Sequence, residues 1–189
     1  MIHRGSQTIT TERLVIRRFQ QGDADAMFRN WCNDEQVSRY MSWEPHGTIK
    51  ETERVLAEWV GAYVNSAYYH WGIEISGELV GSIGAHNVNS TLRSCEVGYA
   101  LSRDWWNQGI MTEALLALID YLFETGFNRV AAIHRVENPA SGRVMEKAGM
   151  QFEGTIRQII IDNTGNFHDA KQYAIVARDT RPQLYGGKS

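Results

Sequence analysis

The sequence predicts a single α/β domain with a mixed, mostly antiparallel β-sheet flanked by helices. Its 189 residues suit one ordinary domain with a substantial core. No repeat, low-complexity block or Pro/Gly/Ser linker divides the chain. The local patterns follow the order strand, two helices, three strands, helix, strand, helix and two strands, which is typical of an α/β fold. The domain is expected to span residues 1–189, with flexible tails at residues 1–8 and 180–189.

The composition excludes several classes of protein. Apolar residues make up 43% of the chain and charged residues 22%, which is the balance of a globular protein. A net charge of −3 without a long basic run argues against a nucleic-acid-binding protein. The most apolar stretch, residues 114–123, is about half the ~20 residues that a membrane span needs, and the N-terminus has no apolar signal segment. A cytoplasmic protein is therefore expected. Cys32 and Cys95 predict neither a disulfide framework nor a metal site.

The first third of the chain predicts one strand and two helices. The strand covers residues 11–19, because this segment alternates and is rich in Leu, Val and Ile. A helical pattern follows from Gly22. Thr48 and Glu51 match a T-x-x-E capping box, which predicts a second helix over residues 51–64.

The remainder of the sheet is expected from runs rich in β-branched and aromatic residues. These runs are residues 68–75, 79–88, 95–102, 129–136, 150–161 and 167–179. A Gly-containing turn joins the first two runs, and another joins the last two. Each of these pairs therefore predicts an antiparallel hairpin.

Two further helices have clear boundary signals. Apolar residues keep the helical period after Gly109 until Gly126, which is well placed as a left-handed C-cap. Asn138 and Pro139 supply an N-cap residue and a proline at the first helical position, and this helix ends at Gly149.

The junction at Gly109 is a candidate anion site. A strand that runs into a helix exposes unpaired N–H groups at a helix end that favours negative charge. Glycine lets a ligand approach the backbone, and the neighbouring Asn107 and Gln108 carry no negative charge. A lone glycine also suits an ordinary helix-start turn, and no P-loop or dinucleotide fingerprint is present.

Three segments resemble the GNAT N-acetyltransferases, in the branch of the ribosomal-protein N-terminal alanine acetyltransferases. They are TTERLVIRRFQQGDADAM (10–27), EVGYALSRDWWNQGIMTEAL (96–115) and ENPASGRVMEKAGMQFEG (137–154). The resemblance covers nearly the whole chain. It implies a transferase that uses acetyl-CoA as acetyl donor and needs no metal.

The resemblance implies a V-shaped cleft between the strands at residues 96–101 and 130–136, the family's strands 4 and 5. The pantetheine amides would pair with the free edge of the first of these strands. A backbone N–H near Ala100 or Leu101 would polarise the thioester carbonyl. Asn138 would contact the pantetheine arm besides capping its helix.

The phosphate loop departs from the family pattern Q/R-x-x-G-x-G/A, which falls on residues 106–111. Only Gly109 matches, because Trp106 and Met111 replace the outer residues of the pattern. The resemblance therefore implies that backbone N–H groups make the pyrophosphate contacts. The cofactor-binding residues expected here are Asn107, Gln108, Gly109, Ile110, Met111 and Thr112.

Two side chains are candidates for catalysis. Glu96 either accepts the amine proton through a water or serves only as a structural hydrogen-bonding residue. Many relatives place a tyrosine in the last helix before the sheet's final hairpin, but Met145 stands there and cannot donate a proton. The resemblance gives that task, protonation of the CoA sulfur, to Ser141, which is otherwise an ordinary first-turn serine.

Other polar side chains are given no definite role in the reaction. His134 is expected to be a strand histidine with satisfied ring nitrogens, and His70 and His86 receive no role because they lack metal spacing. Tyr40 and Tyr99 either shape an acceptor pocket or pack in the core.

The leading hypothesis is an N-acetyltransferase that acts on a primary amine by direct attack in a ternary complex. A protein or peptide N-terminus is the favoured acceptor, because of the branch that the chain resembles. The alternatives are acetylation of a polyamine, amino acid or aminoglycoside, and a non-catalytic acyl-CoA-binding module. A homodimer through the C-terminal hairpin is also possible, since dimers are common in that branch.

Overall fold

The computed structural model describes residues 1–182, which form an eight-stranded sheet with helices on both faces. The strands are β1 (Ile9–Thr10), β2 (Val15–Arg17), β3 (Tyr69–Ile75), β4 (Glu78–Asn89), β5 (Ser94–Leu101), β6 (Arg129–Arg135), β7 (Gln151–Ile161) and β8 (Phe167–Val176). The helices are α1 (Ala24–Met27), α2 (Glu35–Ser38), α3 (Ile49–Ala62), α4 (Ile110–Thr125) and α5 (Pro139–Lys147).

The order of the strands in the sheet is β1-β2-β3-β4-β5-β6-β8-β7. Within residues 1–182, β5 and β6 form the parallel pair and their neighbours are antiparallel. The predicted hairpins β3–β4 and β7–β8 are present, so the mixed, mostly antiparallel sheet is confirmed. A parallel pair needs a crossover, and α4 supplies it between β5 and β6.

Apolar side chains pack on both faces of the sheet. Leu79 and Val80 are neighbours on β4 and enter different clusters, since successive strand residues point to opposite faces. Val80 packs with Leu118 of α4 and Met145 of α5, whereas Leu79 packs with Leu56 of α3. The helices α4 and α5 therefore cover one face, and the α1–α3 segment covers the other.

The first third of the chain differs from the sequence prediction. The strand expected over residues 11–19 is shortened to β2. The helix expected after Gly22 is a 3₁₀ turn, one turn of α1 and then a π-helical turn at Phe28–Cys32. In this π-helical turn, Trp31 is buried in the cluster that also holds Leu79 and Leu56.

The capping box predicted at α3 is wrong in its geometry. Thr48 is the N-cap residue, but its side chain makes no cap hydrogen bond. The Glu51 carboxylate instead accepts hydrogen bonds from the Gly47 N–H (2.8 Å) and the Thr48 hydroxyl (3.4 Å). The helix begins at Ile49, two residues earlier than expected.

Both segments predicted as tails make contacts with the rest of the domain where they are described. Ser6 is buried, and its hydroxyl accepts a hydrogen bond from the His70 N–H and donates one to the Tyr68 carbonyl. This segment is therefore tied to β3. Near the other end, Arg181 forms an ion pair with Asp120 of α4 at 2.7 Å. Residues 183–189 of the second predicted tail lie outside the described residues.

Candidate active site

The central feature is a cleft where β5 and β6 part. Their pairing within the described chain runs through Ser94–Arg129, Cys95–Val130 and Glu96–Ala131 and then stops. β4 still covers the other side of β5 as far as Leu101. The remaining edge of β5 thus faces a cavity of about 560 Å³, which confirms the splayed strands expected from the sequence.

The loop at the end of β5 adopts a conformation that exposes backbone N–H groups. Asn107 and Gly109 both have left-handed backbones, with φ of 60° and 77°. Gly109 is the N-cap of α4, and its carbonyl accepts the first helical hydrogen bond from the Glu113 N–H at 3.0 Å. The N–H groups just before Glu113 therefore lack acceptors within the helix and can bind an anion. Trp106 lines this region and donates its indole N–H to the Leu101 carbonyl at 2.8 Å.

A buried carboxylate anchors the loop to the turn between β1 and β2. Glu113, in the first turn of α4, is 4% exposed. It accepts hydrogen bonds from the Thr11 hydroxyl (2.5 Å) and the Arg13 Nε (2.6 Å). Burial raises the Glu113 pKa, but the hydrogen bonds from Thr11 and Arg13 together hold it below its ordinary value. Arg13 also donates to the Gln108 carbonyl at 3.0 Å, so the same guanidinium neutralises Glu113 and positions the loop.

The electrostatics of the cleft suit a phosphorylated ligand. Arg135, Arg143 and Lys147 are among its lining residues. Among the described residues that line this cavity, none is Asp or Glu. The backbone N–H groups at α4 thus lie in a cavity whose charged side chains are cationic.

The helix α5 brings Ser141 to the opposite wall of the cleft. Asn138 is its N-cap, as predicted, and accepts a hydrogen bond from the Ser141 N–H at 3.4 Å. The Ser141 Oγ lies 2.9 Å from the hydroxyl of Tyr99 on β5, so the two walls are bridged at this point. Burial raises the Tyr99 pKa to about 12, against the opposing effect of Ser141, and the phenol is therefore protonated at neutral pH. Met145 is buried in the core.

Glu96 lies at the last position where β5 pairs with β6. It is not among the described residues that line this cavity or a second one, described below. Its carboxylate accepts a hydrogen bond from Asn87 at 3.2 Å and lies 3.7 Å from the Nε2 of His86. His86 is the register partner of Glu96 on β4, and it lines a second cavity. The sequence did not indicate His86, because only the strand register brings it beside Glu96.

The second cavity has a volume of about 470 Å³ and lies on the face covered by α1–α3. It shares Met41, Gly98, Tyr99 and Ala100 with the first cavity. The two cavities therefore border the same free stretch of β5. Tyr99 is common to both, so it is a wall residue of the site as well as a partner of Ser141.

Most of the predicted cofactor-binding residues line the first cavity. They are Ala100, Leu101, Asn107, Gly109, Ile110, Met111, Thr112, Asn138 and Ser141. Gln108 does not. Its carbonyl accepts from Arg13, and its side chain donates to the Asp104 carbonyl at 2.7 Å, so both groups already have partners within the protein.

Only one of the two ring nitrogens of His134, on β6, has a hydrogen-bond partner among the described residues, in contrast to the prediction. Its Nδ1 lies 2.8 Å from the Arg135 carbonyl, and its ring stacks on Tyr173. The buried Nε2 has no hydrogen-bond partner among the described residues. It packs beneath α5, where a Cβ on Gly142 would lie 2.6 Å away. His134 is therefore a packing residue that requires glycine in α5.

Within residues 1–182, no group of three or more His, Cys, Asp or Glu side chains could hold a metal ion. The helices of this described part are too short or too polar to cross a membrane.

The parallel strands β5 and β6 part beside an anion site made of backbone N–H groups and cationic side chains. This arrangement is that of an acyl-CoA-dependent transferase. The family model described as acetyltransferase (GNAT) domain matches residues 13–151, and the chain belongs to the GNAT acetyltransferase family. It is accordingly an acetyl-CoA-dependent N-acetyltransferase.

Similar proteins extend over nearly the full chain. The uncharacterized N-acetyltransferase YoaA of Bacillus subtilis is 33% identical over 171 residues, which cover 89% of this chain and 96% of YoaA. The ribosomal protein uS5-alanine N-acetyltransferase of Escherichia coli is 24% identical over 92% of this chain and 93% of its own. The crystal structure of a GNAT-family acetyltransferase from Bacillus anthracis has a TM-score of 0.80 at 28% identity and covers 92% of this chain and 100% of that one.

Proposed function

We propose that this acetyltransferase acts on the α-amino group of a protein or peptide. The observation that carries this proposal is that Gly98, Tyr99 and Ala100 line both cavities. An acyl thioester in the first cavity and an amine entering from the second would come together there, as direct attack requires. The similarity to the uS5-alanine N-acetyltransferase of Escherichia coli supports a protein N-terminus as the acceptor.

The reaction needs no covalent bond to the protein. The neutral amine nitrogen attacks the thioester carbonyl carbon, the carbon–nitrogen bond forms and the carbon–sulfur bond breaks. The nitrogen gives up one proton, and the sulfur of CoA gains one. The protein has to position the amine, accept the first proton, stabilise the carbonyl oxygen and deliver the second proton.

The free edge of β5 is suited to hold the donor. The Leu101 backbone turns to the free edge and would pair with the pantetheine, its N–H stabilising the carbonyl oxygen. Ala100 turns its backbone groups toward β4, because Ser102, two residues further on, donates to the Val80 carbonyl. The N-terminus of α4 at Gly109 would bind the pyrophosphate, with Arg143 and Lys147 as cationic neighbours.

Ser141 would protonate the departing thiolate, with Tyr99 behind it as a second proton donor. The Tyr99 hydroxyl donates to the Ser141 carbonyl at 3.2 Å and lies 2.9 Å from the Ser141 Oγ, so a rotation of the phenol O–H would pass its proton to Oγ. Tyr99 would thus supply from β5 the phenol that Met145 cannot supply from α5.

The amine proton would pass toward Glu96 by way of His86. Glu96 lies outside the described lining of the second cavity, whereas His86 is part of it, and their side chains are 3.7 Å apart. Glu96 would then be a positioning residue for His86.

Turnover assays on the full chain test this proposal. Release of free CoA thiol from acetyl-CoA is followed with peptides that carry a free α-amine, with the same peptides acetylated at that amine, and with spermidine and an aminoglycoside. Peptides with a free α-amine are expected to be the substrates. Turnover of the polyamine or aminoglycoside alone would establish a small-molecule acetyltransferase, and CoA binding without turnover would leave a binding module.

A further inference from the structure

The second cavity has a floor made of small residues. Ser82 and Gly84 on β4 are the register partners of Ala100 and Gly98 on β5, and all four line the cavity. A side chain on Gly98 would only contact the His86 ring at 3.4 Å, so this position opens into the cavity. A Cβ on Gly84 would lie 2.8 Å from the Tyr69 carbonyl oxygen, so the room for a bulky group of a ligand lies over Gly98.

The walls of the cavity are aromatic. Trp31, Trp43 and Trp59 line it from the α1–α3 side, and the opposite wall consists of His70 of β3 and Tyr68 just before that strand. The rings of Trp59 and His70 meet edge to face, with centroids 4.2 Å apart. Edge-to-face walls and a flat floor suit a planar apolar group, because offset and T-shaped ring contacts are favourable.

The basic side chains in the described lining of the cavity are the rings of His46, His70 and His86. Among the described residues that line it, none is Asp, Glu, Lys or Arg. Burial lowers the pKa of His46, and it lowers the pKa of His70 to about 4, so both rings are neutral. A polyamine or aminoglycoside would lose the hydration of its ammonium groups here without gaining a carboxylate partner.

We infer that this cavity selects primary amines that carry an aromatic ring close to the amino group. The inference rests on the proposed acetyl transfer and specifies its acceptor. The ring would lie on the floor between Trp43 and Trp59, and the amine would point to Tyr99, which lines both cavities. The shared chemistry is found in a peptide that begins with Phe, Tyr or Trp and in a small arylalkylamine.

Matched acceptors test the inference on the full-length protein. One set consists of peptides that differ only in their first residue, which is Phe, Trp, Ala, Ser or Gly. The other consists of 2-phenylethylamine, butylamine and spermidine. In each set, the ring-bearing amine is expected to have a kcat/KM at least roughly tenfold higher than its partners, a usual discrimination for an apolar pocket. The two sets distinguish a peptide from a small amine as the source of the ring.

A filled cavity should abolish this preference. Val55 of α3 lines the cavity. Val60 of the same helix is not among the described lining residues and packs against the apolar cluster that holds Leu56. Val55→Phe is expected to reduce the ratio of kcat/KM for Phe-peptide over Ala-peptide by about tenfold, and Val60→Phe is expected to leave it unchanged. Both peptides are measured on the same variant, so a general loss of folded protein lowers both kcat/KM values equally and does not change their ratio. If Val55→Phe does not fold, Trp43→Ala removes a wall instead and is expected to lower the same ratio.

The outcomes separate the two proposals. Preferential turnover of spermidine, or equal turnover of Phe-, Ala- and Ser-peptides, would overturn the inference while leaving acetyl transfer intact. If no amine is acetylated, the proposed function fails. In that case calorimetry with CoA present decides the inference, because 2-phenylethylamine should bind more tightly than butylamine and spermidine, and equal or weaker binding would overturn it.

Discussion

A substitution at Gly109 measures how much the helix start contributes to cofactor binding. Gly109 has φ of 77°, a region that costs an L-residue about 1–2 kcal/mol. A Cβ at this position would lie 3.6 Å from Arg13 Nη2, which is an ordinary contact. Gly109→Val therefore introduces backbone strain without a steric clash.

The strain is expected to weaken CoA binding. If the free loop relaxes to negative φ, it must return to the left-handed conformation to present its N–H groups. The penalty of about 1–2 kcal/mol corresponds to a rise in Kd of roughly 5- to 30-fold. Calorimetric titration with CoA measures this rise. Gly109→Asn should lose less affinity, because asparagine tolerates the left-handed region.

Gly126 provides the matched control, since it caps the other end of α4 with φ of 103°. Gly126→Val introduces the same kind of strain, and Met1 Cγ would lie 3.4 Å from its Cβ. This variant should lower the free energy of unfolding in urea and leave the Kd for CoA unchanged. If Gly109→Val loses stability as Gly126→Val does but keeps its Kd within twofold, the backbone cradle has no part in binding.

Three further predictions concern catalysis and stability. Ser141→Ala should lower kcat by roughly 100-fold with little change in the Kd for acetyl-CoA, and an unchanged kcat would remove Ser141 from proton delivery. Glu113→Gln should lower the free energy of unfolding in urea by about 1.5 kcal/mol, the lower end for hydrogen bonds to a charged group because Arg13 is partly exposed. The Glu113 pKa is lowered on folding, so this contribution is lost as pH falls below the ordinary value, and the variant should then approach the parent protein. His70 has a pKa lowered to about 4, so between pH 6.5 and 4 the unfolded chain binds a proton that the folded chain does not. Stability should therefore fall on acidification by at most about 3 kcal/mol, and His70→Asn should flatten this slope in urea unfolding.

Local signals in the sequence predicted most elements of the fold. α4 ends at Gly126 and α5 begins after Asn138 as expected, because caps and helical periodicity act over a few neighbouring residues. The hairpins were predictable for the same reason. The segment after Gly22 was not, since the packing of Trp31 overrides the local helical pattern.

The candidate site depends on pairs that are distant in sequence. Tyr99 and Ser141 come together across the parted strands, and Glu113 meets Arg13 although 100 residues separate them. His86 faces Glu96 only through the register of β4 and β5. None of these partners leaves a mark in local periodicity.

The sequence by itself therefore determined the class of fold, the helix start at Gly109 and the cap at Asn138, because these depend on backbone conformation set by nearby residues. Only the tertiary structure decided that the Gln108 side chain bonds to the Asp104 carbonyl and that aromatic rings line the second cavity. Strand register and side-chain packing choose such partners, and both are properties of the assembled sheet.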